Sequence, residues 1–161
     1  MRVLGLARDL ALALMGLALL ILPFVVSSRA KGAEALPGPI LAVVTEVVDG
    51  DTVWVKARIW IGQDVTTKVR LAGIDAPEIS RPRAKCAAEI AKGEEARAYL
   101  QSLIGGREVS LHEVVPDKFG NRVDARIVLV EQRVKIDVSS RMVEKNLAVA
   151  WGEASPWCPS V

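Results

Sequence analysis

One helical stretch set inside a series of short strands constrains the fold of this chain more than any other feature. From about Ala87 to Ile104, Ile90, Ala96, Leu100, Leu103 and Ile104 recur at roughly helical spacing among charged residues, and Gly105-Gly106 ends the pattern. Before it, Leu41–Val48, Thr52–Ile61 and Val65–Ile74 are rich in Val, Ile, Thr and Trp, and are punctuated by Asp49-Gly50 and Gly62-Gln63. An Asp-Gly step between such runs is a strong hairpin signal. After the helix, Glu108–Val115 and Val123–Val130 flank the turn Pro116-Asp117-Lys118-Phe119-Gly120. A second short helix is expected from about Ser139 to Asn146, with Asp137 as its cap. This order predicts a mainly β, α+β fold: a five-stranded OB-type barrel with one main helix and a short second helix.

The first 33 residues are expected to stand apart from that domain. Arg2 and Arg8 precede an apolar run from Leu10 to Val26, and small residues follow it. This is the layout of an export signal, and the same run, if uncleaved, is a membrane anchor. It has no polar face with which to sit on a globular core. The expected organisation is therefore a signal or anchor at 1–33, a linker at 34–40, the domain at 41–151 and a tail at 152–161. Periplasmic or secreted localisation follows, with anchoring by residues 10–26 as the variant. The chain has two cysteines, Cys86 and Cys158. They form either a disulfide tying the tail to the domain or a pair of buried thiols. Metal binding by them is not expected, because two isolated cysteines and one histidine lack ligand spacing.

Charge narrows the function classes. The net charge of +2 is uneven: four basic residues against Asp9 put +3 in residues 1–33, leaving about −1 for the rest. A near-neutral domain does not bind nucleic acid through a general basic surface. Phosphate recognition would have to come from a few placed arginines or through a metal ion. Three motifs supply such groups: Asp49-Gly50-Asp51-Thr52, Arg70 through Asp75-Ala76-Pro77-Glu78, and Asp117-Lys118-Phe119-Gly120-Asn121-Arg122. They offer hard oxygen ligands, a spare carboxylate and guanidinium groups, which is the inventory of phosphodiester hydrolysis. Each also has a plain structural explanation. Asp49-Gly50 can be only a turn, and Arg70 an outward-facing solvated charge. Asp75-x-x-Glu78 imitates a helix capping box, although Pro82 follows and no helical run begins before it.

In combined order and spacing, the three motifs resemble the staphylococcal nuclease family over about Leu41 to Trp151. The resemblance implies a Ca2+-dependent nuclease acting on DNA and/or RNA. It implies Asp51 and Asp75 as carboxylate ligands of calcium, and Ala76 as a ligand through its backbone carbonyl. Glu78 is implied as general base, Arg70 as the group that grips the phosphate, and Arg122 as a second arginine near the leaving oxygen. Asp49 would support the turn. Asn121 is one residue more than the family turn has, so Arg126, which shares a strand face with Arg122, is the fallback. The alternative is a non-catalytic OB-type binding module or an envelope interaction domain. A carboxylate base has no use in the former. No obligate protein partner is expected, and membrane association only if the N-terminal segment is retained. His112 reads as a surface or partly packed residue. Trp54 and Trp60 share a face by parity and read as core or ordinary surface rather than as a stacking platform. Trp151 and Trp157 read as packing residues of the tail.

Overall fold

The computed structural model describes residues 35–118 and 120–159, and the segment read as an export signal lies outside them. β1 (Ile40–Val47), β2 (Thr52–Trp60) and β3 (Gln63–Leu71) form an antiparallel meander. A two-residue strand, β4 (Ile74–Asp75), follows, and then α1 (Ala87–Ile104). β5 (Glu108–Pro116) and β6 (Arg122–Glu131) complete the barrel, after which come β7 (Val134–Asp137), α2 (Val138–Glu144) and β8 (Val149–Ala150). The strands run in the order β3-β2-β1-β5-β6, and β6 returns to pair parallel with β3. That pairing closes an OB-type barrel of five strands.

Alternation decides what the barrel encloses. Val53, Val55 and Ala57 of β2 point inward with Val69 and Leu71 of β3 and Ala125, Ile127 and Leu129 of β6, all buried. The helix α1 seals one side. Ala96, Leu100 and Ile104 recur every four residues along it and are fully buried. Truncating Leu100 to alanine there would cost about 2–5 kcal/mol. The start of α1 is built reciprocally: Cys86 Sγ accepts from Glu89 N at 3.4 Å, and Glu89 Oε2 accepts from Lys85 N at 2.7 Å. Gly105 N donates to Gln101 O at 2.9 Å and ends it. Asp137 caps α2 as expected, its carboxylate accepting from Ser140 N at 2.9 Å.

β7 and β8 go beyond the strands read from sequence, and the segment read as Val65–Ile74 divides into β3, ending at Leu71, and β4. β7 returns from β6 through Gln132 and Arg133, both at positive φ. That two-residue turn has the handedness of type I′ but neither the asparagine nor the glycine that normally announces it. Leu36, in the segment read as linker, makes an antiparallel bridge with Val114 of β5. Cys86 and Cys158 are joined across 72 residues of sequence. Closing a loop of that length should stabilise the domain by about 4 kcal/mol through the entropy of the unfolded chain. Denaturant unfolding of the oxidised protein against the Cys86→Ala/Cys158→Ala variant measures this. Equal midpoints would show that the bond does not contribute.

Candidate active site

The β1–β2 connection folds onto the β3–β4 connection, and the predicted acids and arginines meet there. Asp49 Oδ1 accepts from Asp51 N at 3.1 Å, an Asx turn that aims Asp51 back over the barrel. Gly50 makes the approach possible: a β-carbon there would lie 2.7 Å from Ala76 Cβ and 2.8 Å from Ala96 Cβ. Asp51 is almost fully buried yet well supplied with donors. Thr52 Oγ1 reaches Oδ1 at 2.9 Å and Ala76 N reaches Oδ2 at 3.2 Å. Burial, followed by repulsion from Asp49, pushes Asp51 up to about 7 against the pull of Arg70.

Arg70 ties the two connections together. Its Nη1 donates to Asp51 Oδ1 at 2.9 Å and its Nη2 to Asp75 Oδ1 at 2.8 Å. Burial opposes its charge, but Asp51 and Asp75 outweigh that and hold its pKa above the ordinary value. Its guanidinium carbon also lies 5.2 Å from the centre of the Trp151 ring. Trp151 arrives there because β8 pairs with β4 and Trp151 N donates to Gly73 O at 3.0 Å. The packing role read for Trp151 is therefore corrected: it is 65% exposed and stacked on the site. The solvated-charge explanation of Arg70 fails likewise, since its side chain is only 17% exposed.

Glu78 is held from beneath by α1. A β-carbon at Gly93 would come within 2.7 Å of the carbonyl oxygens of Pro77 and Glu78, so the helix backbone directly supports this segment. Glu78 pairs with Arg83 Nε at 3.0 Å. Burial raises its pKa, Arg83 opposes this, and Asp49 and Asp75 add to it. Asp49, Asp51, Arg70, Ala76, Glu78 and Arg122 all line one concavity, together with Arg83.

The two candidate second arginines separate. Arg122, at the start of β6, lines this concavity and is ion-paired with Asp117. Asn121 and Gly120 both take positive φ, which absorbs the extra residue in the turn. Arg126 instead faces Glu113 and Asp137 and lines a different hollow. Asp124 was not foreseen. It is the register partner of Arg70 across β3 and β6 and lies in a hollow shared with Arg70, Arg122 and Trp151. Its Oδ1 is buried with no hydrogen-bond partner among the described residues. Burial and then Asp117 raise its pKa, against Arg122 and Arg70. Arg83, Asp124 and Trp151 carried no motif of their own. For Asp124, strand parity with Arg122 was the one available signal.

The donor set suits a hard divalent cation. Asp49 and Asp51 line the concavity beside Ala76 and repel one another, Asp75 reaches its edge through Arg70, and Asp49 and Asp75 both raise Glu78. A bound cation relieves that repulsion, and carboxylate and carbonyl oxygens are the ligands calcium takes.

A closed OB-type barrel with a carboxylate–arginine cluster where two strand connections meet is the class these elements define. The chain belongs to the staphylococcal nuclease homologue family, whose model matches residues 68–157, from just before Arg70 to beyond Trp151. It is also similar to a protein of Clavispora lusitaniae described as "Probable endonuclease LCL3", with 39% identity over 89 residues. That match covers 55% of this chain, which spans 36% of the relative's length.

Proposed function

We propose that this protein is a calcium-dependent nuclease that hydrolyses phosphodiester bonds of DNA and/or RNA. The observation that carries the proposal is the fixed constellation: Arg70 clamped between Asp51 and Asp75, with Glu78 and Arg122 lining the same concavity. Family membership and the description of the Clavispora relative support it. Asp51, Asp75 and the Ala76 carbonyl would hold Ca2+, which when bound polarises the phosphoryl group and neutralises its charge.

The chain's own residues do the rest. Glu78 accepts a proton from the attacking water, and its raised pKa makes it a better base than an exposed glutamate. Arg70 presents a planar pair of donors to the phosphate oxygens as charge develops on them. Arg122 meets the phosphate from β6, close to the departing oxygen. Both arginines are held in place by carboxylates before substrate arrives, so little reorganisation is needed at the reaction. The Cys86–Cys158 bond supports an oxidising compartment, in keeping with export by the N-terminal apolar segment.

Incubating the protein with DNA and with RNA, with calcium and then with excess chelator, tests the reading. Cleavage that depends on calcium is expected. Binding without cleavage would favour the non-catalytic module. Asp51→Ala and Asp75→Ala should each weaken apparent calcium affinity by more than about tenfold, a loss that even outer-shell ligand partners can produce. Circular dichroism should stay near wild type. An unchanged calcium titration in both variants would remove the ligand assignment.

A further inference from the structure

Two side chains beside the reaction site, Trp54 and Lys68, have no part in the mechanism so far. Trp54 on β2 faces Lys68 on β3, and Lys68 faces Arg122 on β6. The next row, two residues along, is Thr52, Arg70 and Asp124. The two rows therefore lie side by side on the outer face of the barrel. Trp54, Lys68 and Arg122, with Asp49, Thr52 and Arg83, line a concavity of about 490 Å3. That is within the range of pockets that hold a small organic ligand, about 300–1,000 Å3. Asp49, Thr52, Arg83 and Arg122 also line the reaction site, so the two hollows adjoin.

Of the two settings read for Trp54, core and surface, it takes the surface one. It is half-buried rather than core, and it offers a ring to a groove. Trp60 does not share that setting: an irregularity at Ile59 breaks the alternation between them, and Trp60 stands 69% exposed. Lys68 Nζ lies over the Trp54 ring, 5.1 Å from its centre. Arg83 is paired with Glu78 and Arg122 with Asp117, whereas Lys68 makes no ion pair among the described residues. Its ammonium sits on a flexible four-carbon stem and can pass from the ring to a phosphate oxygen, leaving the ring face to a base.

We propose that this groove binds the nucleotide adjoining the scissile phosphodiester, its base stacked on Trp54 and its phosphate met by Lys68. The proposal rests on the nuclease reading and names where its substrate continues. An aromatic face beside a cationic row suits a nucleotide of any sequence, since every base has a π-face.

Fluorescence anisotropy of a labelled oligothymidylate, with calcium and in a Glu78→Gln background that keeps the strand intact, measures the groove directly. Trp54→Ala should weaken binding about 5- to 150-fold, and Trp54→Phe should recover most of it. Lys68→Gln should reduce the slope of log affinity against log salt by about 0.7. Trp60→Ala should bind like the parent. In the cleaving protein, the Trp54→Ala loss should appear mainly in KM rather than kcat. Parent-like binding by Trp54→Ala overturns the proposal. So does an equal loss in Trp60→Ala, or a loss that phenylalanine does not rescue and that accompanies a lowered melting temperature. Cutting with no Trp54 effect sinks the groove and leaves the nuclease. Oligothymidylate held through Trp54 by a protein that never cuts sinks the nuclease and keeps the groove.

Discussion

Replacing Glu78 by glutamine should lower turnover on DNA by about two to four orders of magnitude, the usual worth of a general base. The substitution keeps the shape of the side chain and its ability to accept a hydrogen bond from Arg83. It removes only basicity. Glu78 lies outside the hydrophobic core, and its backbone rests on Gly93 of α1, so the segment has no reason to move. A thermal melt should therefore match the parent. The sign of the pH effect is a second readout. At saturating calcium, which holds Asp51 ionised, activity in the parent rises with pH as Glu78 loses its proton, and glutamine has no proton to lose, so that limb should disappear from the profile of the variant. Turnover near wild type, with the limb retained, would remove Glu78 from the chemistry.

Arg70→Lys should cost about two to three orders of magnitude in kcat, although the charge is kept. The guanidinium contacts Asp51 through one nitrogen and Asp75 through the other, a span that a single ammonium cannot copy. Lysine also loses the guanidinium's place over the Trp151 ring. Because Arg70 is buried among carboxylates, some stability is lost too. Turnover at saturating calcium is therefore to be read beside a denaturant melt. Arg122→Lys and Arg126→Lys make an internal comparison. The former should be slow because Arg122 lines the reaction site. The latter should turn over normally, because Arg126 is engaged with Glu113 and Asp137 at another hollow. A crippled Arg126→Lys with a normal Arg122→Lys would reverse that assignment, and near-parent turnover in Arg70→Lys would end the arginine mechanism.

The elements most legible in the sequence were those with long, unambiguous periodicity. The helix of 18 residues ends where the paired glycines said it would, because its buried stripe and its stop are both local. The strands of the meander are equally local, being runs of β-branched residues cut by turns. β8 escaped, and β4 was not separated from the strand read before it, because each has only two residues and exists through pairing Ile74 with Ala150 and Asp75 with Val149, far apart in sequence. β7 escaped because its turn carries left-handed residues without glycine.

Asp49, Asp51, Arg70, Asp75, Glu78 and Arg122 could be singled out because each belongs to a short motif and the motifs together resemble a known family. Their hydrogen bonds could not, since Arg70 reaches Asp51 across 19 residues of sequence and Ala76 reaches it across 25. Strand parity says which face a side chain takes, but not which side chain stands beside it. That neighbour is set by register, and register is set by how the whole core packs. The parallel closure of β6 on β3 puts Arg122 beside Lys68 and Asp124 beside Arg70, while Arg126, on the same strand, continues past that pairing. The β4–β8 pairing brings Trp151 over Arg70 from the far end of the domain. Residue types and local periods thus determined the barrel, its helix and the acids and arginines on offer. Which of them share one hollow, and which aromatic rings face it, was decided only by contacts between distant strands.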